Sequence, residues 1–255
     1  MIKAERKEDV FEITLSRPPL NILNIEMMGE LQGALKELDD DPARILVFRS
    51  DQKAFSAGAD LKEHLPDKVE EMIKTFDELF LQLHAYDGMT VACVNGAALG
   101  GGCELALFCD VVLASEKAKF GQPEMKLGVF PPVALAAFPV LYPQKAALDM
   151  ILSGELIKAD EAHRQGFVNK VLSVDKFDEE VAEYLARFGG LSGSSFRITK
   201  QAYKKIHLAD FPKRLEAAQD AYLNVLAKTP DATEGLVAFM EKRKPVWGRE
   251  TVPGV

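Results

Sequence analysis

The chain has little with which to bind a metal, pair thiols or grip nucleic acid. Its three cysteines, Cys93, Cys103 and Cys109, sit inside apolar runs, with no CxxC and no Cys/His spacing. They read as reduced core residues, so neither zinc nor a disulfide is expected. Positive charge is in deficit. Lys and Arg number 31 against 39 Asp and Glu, a formal net charge of −8, which is the wrong sign for general nucleic-acid binding. A local cluster of Lys or Arg could still serve a small anionic ligand. Long apolar runs are missing as well. The greasiest segment, "VFPPVALAAFPVLYP", is cut by prolines and falls short of the roughly 20 residues a spanning helix requires. "MIKAERKEDVFEITL" holds no apolar stretch of signal-peptide length. The expectation is a cytoplasmic chain with no membrane partner. There is no GxGxxG, no GxxxxGK[ST] and no GxSxG elbow, which removes the usual nucleotide loops and the serine-hydrolase nucleophile.

What is present is an ordinary globular composition, 47% hydrophobic and 27% charged. The length suits one large domain, or a main domain with a small appendage, and is ample for a sizeable core. "DVFEITLSR" alternates as a strand does and is ended by Pro18 and Pro19. "NIEMMGELQGALKELDDD" reads as a helix capped by Asn24, with Met27, Leu31, Leu35 and Leu38 on one face. "RILVFRS", "MTVACVNG" and "CDVVLASE" are short strands apolar throughout, and a helix over about 67–86 lies between the first two. Such strands alternating with helices predict an α/β fold with both sheet faces covered. From about Gln144 the character changes. Six helical stretches follow with one short strand, "FVNKVL", among them. The organisation expected is an α/β core over 1–190 and a helical region over 191–255.

Two loops of small residues follow strands, "AFSAGADLKE" and "VNGAALGGGCELALFCD". Glycines at a strand–helix junction let the backbone approach a ligand and aim N–H groups at it. Two such loops could bring two donors to one oxygen that gains negative charge. Tight strand–helix packing is the alternative. Glu104 falls in the first turn of its helix, where the dipole and free N–H groups favour the ionised form of a general base. Glu124 follows in "KFGQPEMKLGVF", a loop with Gly and Pro. Paired carboxyls in different environments can divide acid and base duties. Singly, Glu104 could be a helix-end charge and Glu124 a solvated loop residue.

"AFSAGADLKE", "VNGAALGGGCELALFCD" and "KFGQPEMKLG", in this order, resemble the crotonase (enoyl-CoA hydratase/isomerase) superfamily, and the likeness runs on to "EGLVAFMEKRK". The resemblance implies a spiral of ββα turns with a helical C-terminal trimerisation region, assembled as a homotrimer or as a homohexamer of two trimers. It implies an acyl-CoA substrate whose thioester carbonyl lies between the N–H groups of Ala59 and Gly101. It further implies that Glu104 activates a water molecule and that Glu124 delivers the proton to the α-carbon. Ala57, Asp60, Leu61 and Lys62 would line the CoA end, and Phe239 and Lys242 would reach CoA from a neighbouring subunit. No cofactor is expected beyond the CoA of the substrate itself. One stretch departs from the family pattern. Where ordinary enoyl-CoA hydratases carry a glycine-rich "PGAGGTQRL"-like segment, residues 129–143 form a stiffer, more apolar loop. Val129, Pro131, Pro132 and Val133 would there shape an apolar acyl pocket. With the apolar "RPPLNILNIEMM", this resembles the cyclohexa-1,5-diene-1-carbonyl-CoA hydratases of anaerobic aromatic degradation. A conventional short-chain 2-enoyl-CoA hydratase and a non-catalytic CoA-binding relative remain the alternatives.

Overall fold

The computed structural model describes residues 1–248. The chain begins with an antiparallel pair, β1 (Ile2–Lys7) and β2 (Val10–Leu15). In α1 (Ile25–Asp40), the Asn24 side chain accepts from the Met27 N–H at 3.1 Å, the cap expected from the sequence. Then follow β3 (Ile45–Ser50), α2 (Val69–Ala85), β4 (Met89–Val94), β5 (Ala97–Leu99), α3 (Gly101–Phe108) and β6 (Val111–Ser115). After β7 (Lys119–Gly121) come α4 (Pro132–Leu141), α5 (Gln144–Ser153), β8 (Ile157–Lys158), α6 (Ala159–Arg164), β9 (Lys170–Leu172) and α7 (Phe177–Ala186). Helices α8 (Gly193–Tyr203), α9 (Phe211–Asp220) and α10 (Pro230–Met240) close the described chain.

One sheet runs β1-β2-β3-β4-β6-β9 and is parallel from β2 onward. A small second sheet pairs β5, β7 and β8. The inner strands of the large sheet are buried on both faces, which is why "ILVF" and "MTVACV" lack alternation. One face carries the main core with α1, α2 and α3; the other packs under α7 through Val47, Val91, Leu113 and Val181.

The 129–143 stretch is not a loop. Ten of its residues form α4, with Pro132 at the first helical position, where a missing N–H costs nothing. Pro139 lies inside the helix, which nonetheless runs on to Leu141. Burial of Val133, Ala134, Ala136, Ala137 and Phe138 against neighbours outweighs the lost hydrogen bond. Helix α9 packs across α4, and the Arg214 Nε–H donates to the Ala136 carbonyl at 2.9 Å.

Candidate active site

The three glycines at the start of α3 each meet a different neighbour. Gly100 has φ +51°, and a methyl group added there would lie 2.3 Å from Glu124 Oε1. One added to Gly101 would meet the Phe76 ring at 3.0 Å and the Ala59 nitrogen at 3.4 Å. One added to Gly102 would strike Ser56 at 2.5 Å. The two small-residue loops therefore touch through bare backbone, and the close packing requires it.

The Ala59 and Gly101 N–H groups lie together at this contact. Leu23 bridges the backbone beside Ala59, donating to the Gly58 carbonyl and accepting from the Asp60 N–H, which leaves the Ala59 N–H turned away. Gly101 is the first residue of α3, so its N–H has no partner within the helix. Neither donates to any acceptor among the described residues. Two adjacent free donors at a helix N-terminus can stabilise one anionic oxygen.

Glu104 is 2% exposed. The Ala134 N–H, in the first turn of α4, donates to its Oε1 at 2.7 Å. Pro131, Pro132 and Val133 are buried at the same helix start, so this segment supplies an N–H donor as well as an apolar wall. The helix-start position favours the ionised form of Glu104, and burial works against it. Burial pushes its proton affinity well up, as does the charge of Glu124, while the N–H groups of Ala134 and Val133 pull the other way. Desolvation outweighs the dipole.

Glu124 is no solvated loop residue either. It lies in a 3-10 turn, Pro123–Leu127, that ends at Gly128 in the left-handed conformation (φ 72°). Its Oε2 is sealed from solvent and has no hydrogen-bond partner. Burial raises it to about 8. Its carboxyl packs on Gly100, the cap of the helix that carries Glu104.

Other positions fall as follows. Asp60 caps the turn Leu61–His64, its side chain accepting from the Lys62 N–H at 3.1 Å. Ala57 donates its N–H to the Leu20 carbonyl, and Lys62 is exposed. Val129 is buried and lines a cavity of about 20 Å³ together with His64, Tyr222 and Leu236. Phe239 and Lys242 stand exposed at the end of α10 and just beyond it, with Lys242 at φ 55°. Burial pushes up all three cysteine thiols, Cys93 to about 12, so they are inert core groups. Among the described residues no group of three or more His, Cys, Asp or Glu could hold a metal ion.

Three site residues escaped the sequence reading. Phe76 packs on Gly101. Tyr222 is 2% exposed and sits edge-on to Phe130, near enough for both glutamate charges to raise its phenol further after burial has done so. Asp77 is a buried carboxyl on the apolar face of α2. For Asp77 a signal did exist, since a charged residue between Phe76 and Phe80 on a core-facing stripe is out of place.

Comparison with known proteins decides the family. The enoyl-CoA hydratase/isomerase family model matches residues 5–250. The chain belongs to that family. A probable enoyl-CoA hydratase of Mycobacterium bovis is 39% identical over 249 residues, 96% of each chain. A cyclohexa-1,5-dienecarbonyl-CoA hydratase of Thauera aromatica is 34% identical over 95% of this chain and 94% of its own. The crystal structure of an enoyl-CoA hydratase from Mycobacterium avium subsp. paratuberculosis superposes with a TM-score of 0.87 at 30% identity, covering 97% and 98% of the two chains. The architecture described above is thus the crotonase fold, mixed α/β with a helical C-terminal region.

Proposed function

We propose that this protein is a hydro-lyase of the enoyl-CoA hydratase type, adding water to a conjugated acyl-CoA thioester. One observation carries the reading. Two free N–H groups, on Ala59 and Gly101, lie at the start of the helix that carries the buried Glu104, and Glu124 packs on Gly100 beside them. Coenzyme A binding alone needs no such pair. In the proposed reaction the thioester oxygen lies between the two donors and gains charge as water attacks the β-carbon. Each donor then contributes ~2.7–4 kcal/mol of transition-state stabilisation.

The roles of the glutamates follow from their hydrogen bonds. Burial raises Glu104 most and the charge of Glu124 raises it further, and the second contribution vanishes when Glu124 is protonated. With one proton between the pair, Glu104 keeps the negative charge because the Ala134 N–H supports it. Glu124, whose Oε2 has no donor, keeps the proton. Glu104 takes a proton from water, the hydroxyl bonds to the β-carbon, and Glu124 gives its proton to the α-carbon.

The favoured substrate is cyclohexa-1,5-diene-1-carbonyl-CoA, which would place the protein in the degradation of aromatic compounds. Val129, Pro131, Pro132 and Val133, all buried and apolar, would shape the acyl pocket, and an uncharged ring needs no Lys or Arg there. The Thauera aromatica relative supports the same choice. The higher identity to the Mycobacterium bovis protein favours the second reading, a conventional 2-enoyl-CoA hydratase. In either case Ala57, Asp60, Leu61 and Lys62 would line the CoA end. Phe239 and Lys242 would meet CoA bound to a neighbouring subunit of a trimer or hexamer built on 191–255, where Leu191, Ile198 and Ile206 stand exposed. The test is a side-by-side assay with crotonyl-CoA and the cyclic dienoyl-CoA, products identified by mass. Gain of one water on the diene with little on crotonyl-CoA is expected. The reverse preference selects the second reading, and no hydration of either refutes both.

A further inference from the structure

Helices α2 and α3 lie side by side, and aromatic contacts fix how they are aligned. At the start of α3 the Phe76 ring packs on Gly101. At its end Phe80 meets Phe108 edge-on, with ring centroids 5.2 Å apart. Gly101, Glu104 and Phe108 are spaced i, i+3, i+7 and share one face of α3. Phe76, Asp77 and Phe80 are all on the buried side of α2. Asp77 lies on the buried side of α2 between these two contacts, close enough for its charge to reach Glu104. It is 5% exposed, and neither carboxyl oxygen has a hydrogen-bond partner. A carboxyl in such a place adds no bond to the fold and costs desolvation.

We infer that Asp77 acts through Glu104 as the third carboxyl of the site, keeping Glu104 basic enough to take the proton from water. The charge of Asp77 is one of the causes that hold the proton on Glu104. Burial alone raises Asp77 itself, to about 7, so its charge state changes in the working pH range. The other elements around it leave this control intact. Helix α1, on the far side of α2, buries only apolar side chains. On α2 itself, Lys74 and Glu78 are exposed and His84 lies two turns on, kept neutral by burial. Helix α9 brings Arg214, whose Nε–H is committed to Ala136. Glu124 and Tyr222 reach Glu104 as well. Asp77 exchanges no atom with the substrate and is a positioning residue.

The inference rests on the reading of Glu104 as the base. The test is Asp77→Asn in the full chain, with kcat and kcat/KM for hydration of crotonyl-CoA or the dienoyl-CoA, whichever the wild type turns over, from pH 5 to 9. Without the neighbouring charge Glu104 ionises more readily but is a weaker base. The acid limb of kcat/KM should move to lower pH. The plateau of kcat should fall roughly three- to tenfold with KM little changed. Asp77→Leu, which removes the charge without an amide, should move the limb the same way and serves if the Asn variant is insoluble. A folded variant whose limb stays in place overturns the inference, and so does loss of soluble protein in both. Glu104→Gln separates the two levels. If it keeps normal turnover, the reading of Glu104 fails. If it is inactive while the Asp77 variants keep the wild-type limb, only the role of Asp77 fails.

Discussion

Gly100→Ala should disable the site while leaving the fold standing. Gly100 caps α3 at φ 51°, ψ −127°, a region open to glycine and costing other residues about 1–3 kcal/mol. The new methyl would also stand 2.3 Å from Glu124 Oε1, where an ordinary contact needs about 1 Å more. The backbone on one side is fixed by the bond from the Gly100 N–H to the Gly121 carbonyl, 3.0 Å, so the carboxyl must give way. A displacement of ~1 Å at a reacting group costs about 10²-fold in rate, or ~2.7 kcal/mol of barrier. Loss of the enoyl-thioester absorbance measures kcat directly, and thermal denaturation measures the fold. The expected result is kcat down by about two orders of magnitude, with Tm lower by roughly 2–10 °C for a chain of this size. Gly29→Ala is the control. Gly29 is exposed in α1 with nothing within 4 Å of an added methyl, so kcat should hold and stability should rise by about 0.5–1 kcal/mol. A Gly100→Ala enzyme within threefold of wild-type kcat would refute the placement of Glu124 against the glycines.

Glu124→Gln and Glu104→Gln should each lower kcat by about 10²- to 10⁴-fold, with CoA affinity by calorimetry unchanged; loss of affinity instead would make them binding groups. The pair works when it carries one proton, and Glu124 is held up to about 8. Hydration kcat/KM should therefore fall as pH rises past that value, by about tenfold per unit on the limb, and a flat profile from pH 8 to 10 would contradict the shared-proton argument. Asp77 has its proton affinity raised in the fold, from 3.8 to about 7. The stability it allows is present in full below about pH 4 and is lost as pH rises through 7, up to about 4 kcal/mol. Urea unfolding of Asp77→Asn should accordingly show a flatter pH dependence and greater stability than wild type at pH 8, and a less stable variant there would oppose the sign.

The sequence exposes the parts of the site that depend on local chain chemistry. The Asn24 cap, the apolar strands, the two small-residue loops and the first-turn position of Glu104 are all local, and all appear in the fold. What it hides depends on tertiary contact. The prolines of 129–143 suggest a loop because propensity is the only local signal, yet α4 forms because its apolar face is covered by α9. The raised proton affinity of Glu104 is hidden for the same reason: the helix dipole can be read from position, whereas burial beneath α4 cannot. Tyr222 enters from the C-terminal helices, where nothing in its neighbourhood marks it out. The small sheet of β5, β7 and β8 is built from strands of two or three residues, too short for any periodicity.

The arrangement suits one negative charge and resists a second. α3 presents its N-terminus through Gly101, and the first turn of α4 presents an N–H to Glu104, so donors from two helices converge on the site. In the proposed hydration that charge begins on Glu104 and ends on the thioester oxygen beside Ala59 and Gly101. It moves a short way within the same set of donors, and little solvation is rebuilt as the bonds change. Ionising Glu124 as well places a second charge on the pair. Glu104 then holds its proton and can no longer take one from water. The sealed Oε2 of Glu124, with no donor of its own, keeps that carboxyl protonated while Glu104 works. An alkaline fall in kcat on one side of the optimum and an acid fall on the other should therefore both trace to this cluster, and removing Asp77 should move the acid limb without creating a new one.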